Sequence, residues 1–253
     1  MILYSKQHLT IAEFHFNEQA TPPPVDVIRY QSWPDKVEGG VCYPFWTRMI
    51  DLNQEPDALL AQMSSSTRNE VRRAAKDEHS FEFSAQPDDV LVNAFFDFYA
   101  EFARMKGLAP LNRARLLGMR ESQALVLTRI SAPDGTTLVW HCYVHVNGNA
   151  RQVHSASLFR ASADKTQQRT ISRANRLLHW LDMLRFRELG FTTFDFGGWY
   201  NGQEDVEKLK INQFKEGFGG RVQAQYNIDY GRTLKGTLAV QFRRAAGALR
   251  GDK

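Results

Sequence analysis

The chain has 253 residues, 43% hydrophobic and 12% aromatic with 17 Phe, which is enough to bury a sizeable core and excludes a disordered segment. Thirty-two basic residues stand against 28 acidic ones, and a net charge of +4 gives no dominant field, so the local placement of arginines decides which anions are held. No apolar run approaches the roughly 20 residues of a membrane span, residues 1–8 lack the start of a secretory signal, and Cys42 and Cys142 have no metal-ligand spacing. A cytoplasmic protein without a disulfide framework or metal site is expected.

Pro22, Pro23 and Pro24 exclude a helix in the first stretch and Gly39-Gly40 makes a second break, so residues 1–60 read as short strands and loops. Thr67-Arg68-Asn69-Glu70 matches a capping box, with Thr67 as N-cap, and predicts a helix to about residue 76. Its Arg68, Arg72 and Lys76 recur every four residues as a basic stripe. Pro87-Asp88-Asp89 starts a second helix, stopped by Gly107, with Leu91, Phe95, Phe98, Phe102 and Met105 as its core stripe. Residues 124–130, 136–146 and 151–159 read as strands joined at Pro133-Asp134-Gly135 and Asn147-Gly148, which predicts an antiparallel meander. Its middle strand sets Trp140, Cys142, Val144 and Val146 toward the core and His141, Tyr143 and His145 on the opposite face. Ile171, Ala174, Leu177, Leu178, Leu181, Leu184 and Leu189 mark a long amphipathic helix closed by Gly190. A strand over 191–196, a short helix carrying Lys215 and a strand over 221–230 follow. The tail through Lys235, Arg243, Arg244, Arg250 and Lys253 has Asp252 as its one acid; it reads as a solvated basic segment that also suits anionic lipid or RNA.

Two glycine pairs frame the chemistry. Phe194-Asp195-Phe196-Gly197-Gly198-Trp199-Tyr200 ends a strand in glycines and aromatics, and Phe214-Lys215-Glu216-Gly217-Phe218-Gly219-Gly220 releases a short helix into the next strand. Such glycines either let the backbone approach a ligand or simply punctuate turns. Gln167, Gln168, Arg169, Arg173 and Arg176 surround the expected start of the long helix, where stability alone favours acids. Exposed amides beside three arginines suit a phosphate or pyrophosphate. Trp199 and Tyr200 fall where a sugar, an adenine or an acyl chain stacks, or else they close the core, and Asp195 either orients an amine or braces a loop.

The element order and these motifs resemble the GNAT acyltransferase superfamily, in particular its Fem-type branch of peptidoglycan aminoacyltransferases and their polysaccharide-cluster relatives. The resemblance covers the C-terminal half and reaches back to Arg68-Asn69-Glu70-Val71-Arg72-Arg73-Ala74. It implies an α/β fold, layered α+β, with a GNAT-like mixed and largely antiparallel twisted sheet flanked by helices. Residues 111–253 would be the acyltransferase core and 1–110 a partial or degenerate GNAT-like half.

In GNAT proteins an Arg/Gln-x-x-Gly-x-Gly/Ala loop leading into a helix holds the pyrophosphate of coenzyme A. Arg169-Thr170-Ile171-Ser172-Arg173-Ala174 fits it, with Ser172 in place of the first glycine. Fem-type members use aminoacyl-tRNA, and their Asp-Phe-Gly-Gly and Phe-Lys-x-x-Phe-Gly-Gly motifs are matched by residues 195–198 and 214–220. The resemblance therefore implies acyl-CoA or aminoacyl-tRNA as donor, its phosphate held by Arg169, Ser172, Arg173, Ala174 and Arg176. It makes Lys215, with Phe214, the catalytic candidate, stabilising an oxyanion or leaving group or shuttling a proton, and His154 a candidate general base. Asp195, Gly197, Gly198, Trp199 and Tyr200 would meet the acceptor, a small molecule or a lipid- or nucleotide-linked sugar of a cell-wall or surface polysaccharide. No serine or cysteine constellation argues for a covalent intermediate, so direct transfer is expected. The alternative is a non-catalytic GNAT-like module that binds nucleotide-sugar or RNA; simple RNA binding through the tail and the Arg68 stripe is a third reading.

Overall fold

Alternating apolar residues broken by short turns set the order of elements. The computed structural model describes residues 1–159 and 164–249, which form ten strands and seven helices. Strands β1 (Ile2–Lys6), β2 (Leu9–His15), β3 (Val27–Trp33) and β4 (Val41–Asp51) precede helices α1 (Pro56–Gln62) and α2 (Ser65–Ala74). Next come β5 (Ser80–Ser84), α3 (Asp89–Lys106), α4 (Arg113–Glu121), β6 (Leu125–Ser131), β7 (Thr137–Val146) and β8 (Asn149–Ser157). The last elements are α5 (Lys165–Glu188), β9 (Thr193–Gly198), α6 (Val206–Glu216), β10 (Arg221–Gly231) and α7 (Leu234–Leu249). This is the layered, mostly antiparallel α/β architecture expected. No described helix is long and apolar enough to cross a membrane.

The elements gather into two compact units that interleave along the chain. One comprises Met1–Thr47, Asn112–Ala124 and the chain from Val222 onward; the other comprises Arg48–Leu111 and Leu125–Arg221. Each unit is assembled from separate stretches of the chain, because β10 returns to pair with β3.

In the first unit, β1 and β2 form an antiparallel hairpin, β2 runs parallel to β3, and β3 is antiparallel to β10. Ala12, Phe14, Val25 and Ile28 form its core. Glu13 is buried beneath α4, where the Arg115 Nε lies 2.9 and 3.0 Å from its two carboxylate oxygens. The segment expected to be a solvated tail is the helix α7, because it has a surface to fold against: Lys235 Nζ lies 3.0 Å from Asp26 Oδ2 and Arg243 bonds Asp229. Arg250 and Lys253 lie outside the described residues.

In the second unit, β5 to β8 are antiparallel neighbours and β9 joins β8 in parallel. Asn147 (φ 51°) and Gly148 (φ 72°) make the left-handed pair that a two-residue hairpin requires. Both faces of β7 are core, which corrects the expected division of its side chains. Trp140 meets Phe95 of α3 at 5.7 Å, while the adjacent His141 bonds Asp182 of α5. Helices on both sides turn an alternating strand into a doubly buried one.

Three local expectations shift for identifiable reasons. The N-cap of α2 is Ser64, whose side chain accepts from the Thr67 amide at 3.2 Å; Thr67 is buried inside the first turn, so the capping box does not form there. The Arg68 stripe is shorter than expected, since α2 ends at Ala74 and Arg68 donates to the Ala61 carbonyl at 2.9 Å. On α3 the buried residues are Val92, Phe95, Tyr99, Phe102 and Ala103; Leu91, Phe98 and Met105 are half-buried because the inward face turns by one position. Its start and stop are as read, with Asp88 capping and Gly107 left-handed at φ 64°.

Candidate functional site

The site grows from the place where β8 and β9 part. Their parallel pairing runs from Asn149 and Thr193 to Arg151 and Asp195. Just past it, β8 carries a bulge, because Cys142 pairs His154 while the next residue, Tyr143, pairs Gln152. The extra residue, Val153, puts Gln152 and His154 on opposite faces. Gln152 meets α5 through His179, whereas the His154 ring lies edge-on to Tyr99 of α3 at 5.1 Å.

His179 fills the gap between the strands. Its Nδ1 donates to the Asn175 carbonyl at 2.8 Å, its Nε2 accepts from the Gln152 amide at 3.1 Å, and its ring stacks on Phe196 at 5.2 Å. Phe214 and Phe218 close around it at 5.4 and 5.3 Å. Burial first, then the proximity of His141, Lys215 and Arg176, hold its pKa well below the usual histidine value, so the ring is neutral.

Lys215 sits in the last turn of α6 and donates to the Gly198 carbonyl and, at 3.3 Å, to the Gly197 carbonyl. Burial lowers its pKa to about 8; Asp195 opposes the shift and Arg151 adds to it. Two carbonyls take two of the three ammonium protons, and the third is available to a developing oxyanion. Asp195 in turn accepts from the Gly197 amide at 2.7 Å, which fixes the turn that aims those carbonyls.

The glycines bring backbone to backbone. A Cβ at Gly197 (φ 69°) would stand 2.7 Å from the Gln152 carbonyl oxygen, and one at Gly220 (φ 72°) 2.3 Å from that of Met49. Arg48, a residue the motifs did not single out, is 8% exposed and donates to the carbonyls of Gly219 and, at 3.1 Å, of Gly220. Its guanidinium also lies 5.1 Å from the Trp199 ring. Asn212 ties the Trp199-Tyr200 turn to α6, accepting from the Tyr200 amide at 3.0 Å and donating to the Tyr200 carbonyl at 2.7 Å.

Two cavities share Phe214 as a wall. One, of about 260 Å³, is bounded by Phe102, Ile171, Ser172, Asn175 and Phe214 among others; the second, about 340 Å³, is polar and includes Ser64, Ser66, Thr67, Arg176 and Lys210. Ser172 and Arg176 thus reach the cavities, with the Arg176 guanidinium 4.9 Å from the Phe214 ring and Arg176 Nη1 bonded to Ser172 Oγ at 2.9 Å. Arg169 is exposed, Arg173 bonds Thr170, and Ala174 is fully buried in the core. His154 lines neither cavity.

The expected phosphate loop is not a loop. Residues 169–174 lie inside α5, which begins at Lys165 behind the N-cap Asp164, so their amides serve the helix ladder and the helix start carries a carboxylate. Sequence spacing alone could not reveal this, since the helix runs for six residues before its first apolar position, Ile171. His141, His179 and Asp182 were also missed: each occupies an apolar face at ordinary spacing, and the signal was the polar residue where a core residue was due.

No family model and no curated protein matches the sequence. Solved structures do. FemX superimposes with a TM-score of 0.60 at 16% identity, over 74% of this chain and 61% of FemX, so the chain spans less than two thirds of that protein. The C-terminal domain (DUF2156) of a putative lysylphosphatidylglycerol synthetase from Agrobacterium fabrum gives 0.55 at 14%, covering 88% of this chain and 72% of that one. L-PGS from Bacillus licheniformis gives 0.53 at 14%, covering 86% and 72%. The fold is shared with FemX and with these two synthetase structures.

Proposed function

We propose that this GNAT/Fem-like chain is an acyltransferase that moves an activated acyl or aminoacyl group directly to an amine or hydroxyl of a cell-wall or surface-polysaccharide precursor in the cytoplasm. The observation that carries the reading is Lys215: a half-buried ammonium with pKa about 8, held by two strand-end carbonyls and next in sequence to the Phe214 wall of both cavities. In the proposed step the acceptor's lone pair forms a bond to the acyl carbon, and the carbonyl electron pair moves to oxygen, where the third N–H of Lys215 meets it. Collapse re-forms the carbonyl and expels the donor's carrier, which takes up the proton lost by the acceptor. His179 is neutral and already bonded at both nitrogens, so it holds the strands apart and does not serve as the base.

The donor is read as an aminoacyl ester such as aminoacyl-tRNA in preference to acyl-CoA. What supports this is the placement of residues 169–174 inside α5, which withholds the amides a coenzyme A pyrophosphate would need. Ser172 and Arg176 remain as side-chain contacts for a donor phosphate, with Arg169 and Arg173 more distant. Gly198, Trp199 and Tyr200 are read as the acceptor side, with the fully buried Asp195 and with Gly197 acting through backbone geometry.

A peripheral partner is read on α7. Leu234, Leu238 and Phe242 are 80, 63 and 79% exposed at four-residue spacing, and the exposed Arg244 flanks that face, while Lys235 on its other side is paired to Asp26. An apolar helix face edged by cations suits an anionic bilayer surface, where a lipid-linked acceptor would be found.

Purified protein is to be incubated with charged tRNA, acyl-CoAs and amine or sugar acceptors, with Lys215→Ala in parallel. Transfer that needs Lys215 supports the reading. Binding of donor without turnover in wild type would favour a non-catalytic module that binds nucleotide-sugar or RNA, and full turnover in Lys215→Ala would remove Lys215 from the catalytic role.

A further inference from the structure

Two buried titratable residues take no part in the transfer step. His141 of β7 and Asp182 of α5 are both 0% exposed. Asp182 Oδ2 accepts from Tyr143 Oη at 2.6 Å and Thr128 Oγ1 at 3.1 Å, and faces His141 Nδ1 at 2.8 Å. Removing a carboxylate and an imidazole from water is costly, and such a pair persists when its orientation serves a further group. The far side of the imidazole identifies that group: His141 Nε2 lies 2.9 Å from Asn175 Oδ1, and Asn175 lines the 260 Å³ cavity.

An asparagine amide offers an acceptor on one side and a donor pair on the other. A His141 ring protonated at both nitrogens, Nδ1–H toward Asp182 and Nε2–H toward Asn175 Oδ1, holds that oxygen inward and leaves the Nδ2 amine to face the cavity; among the described residues nothing accepts from it. Phe102, Ile171 and Phe214 make much of the remaining wall, and a hydrogen bond offered from such surroundings is stronger than one in water. The volume is at the low end for small-molecule sites, which suits an acyl or aminoacyl group better than a whole donor. Resting on the transfer reading above, we propose that Asn175 Nδ2 binds the carbonyl oxygen of the acyl or aminoacyl group seated in this cavity, with His141 and Asp182 as the positioning residues that set its donor outward.

The test uses the full chain labelled with nitrogen-15 and two small carbonyl probes, L-leucine methyl ester and S-butyryl-N-acetylcysteamine. The Asn175 side-chain amide signals, assigned by their loss in Asn175→Asp, are expected to move on titration with at least one probe. Asn175→Ala is expected to weaken that probe about tenfold in protein that remains folded, while Lys215→Ala binds it within about twofold of wild type. Asp182→Asn is expected to shift the Asn175 signals before any probe is added and to weaken the probe in the same direction. A merely structural pair would leave probe affinity at the wild-type value in a folded Asp182→Asn variant. Asn175 signals that stay still while a probe binds, or wild-type probe affinity in Asn175→Ala, overturn the proposal. If the signals move but Lys215→Ala retains full transfer, the catalytic reading fails and the carbonyl subsite stands.

Discussion

Lys215 donates to the carbonyl of Gly197 at 3.3 Å, so the end of α6 is tied to the last turn of β9 by the group expected to meet the oxyanion. That tie makes the ammonium both a structural and a chemical element. Its pKa of about 8, lowered chiefly by burial, sets a pH window for activity.

If the charged form acts, kcat/KM falls as pH rises through about 8, with one deprotonation. Lys215→Arg keeps a cation that does not titrate in this range, and is expected to lose that limb while lowering kcat. Rate profiles from about pH 6 to pH 10 decide it. A rate that climbs through pH 8 would instead assign Lys215 to proton removal.

Gly220 is a backbone contact first. Gly220→Ala forces a Cβ to 2.3 Å from the Met49 carbonyl oxygen at φ 72°, whereas Gly135→Ala, at φ 85°, has nothing within 4 Å. The first is expected to cost well over about 2 kcal/mol and the second about 1 kcal/mol, measured by urea unfolding. Equal losses at both positions would show that conformational strain alone accounts for Gly220.

These contrasts mark what the sequence could disclose. The Asn147-Gly148 hairpin and the Asp88 and Gly107 ends of α3 were legible because neighbours within four residues determine them. Arg48 was not, since it meets Gly219 and Gly220 from 171 and 172 residues away. The α2 cap was misread because Ser64 and Thr67 both satisfy the cap rule locally; the close packing of Gly217, whose added Cβ would stand 2.3 Å from Thr67 Oγ1, keeps Thr67 inside. The Lys215 motif was legible as a pattern, yet the cavities beside it depend on α2, α3 and α5 meeting one phenylalanine.

Acid stability should depend on Glu13. Burial alone would raise its pKa, but Arg115 and His15 outweigh that and hold it well below the ordinary value. A depressed carboxylate contributes stability above its unfolded pKa of about 4.3 and loses it as pH falls toward the folded value. Glu13→Gln is therefore expected to be less stable than wild type near neutrality and to flatten the acid limb below about pH 4. Melting curves at stepped pH test this; parallel limbs for both proteins would remove Glu13 as the cause.

The α7 face predicts binding to anionic vesicles. Leu238 and Phe242 are exposed by 63 and 79%, too much for core residues, and Arg244 beside them adds attraction to phosphate headgroups. The chain is expected to sediment with vesicles containing phosphatidylglycerol and not with pure phosphatidylcholine, and binding should weaken as salt rises. Leu238→Glu with Phe242→Glu should abolish sedimentation at unchanged melting temperature, because neither side chain supports the core. A concentration-dependent dimer that the double variant dissolves, with no vesicle binding in wild type, would assign the same face to a second copy of the chain. The two outcomes separate cleanly, since lipid binding depends on headgroup charge and self-association depends on protein concentration.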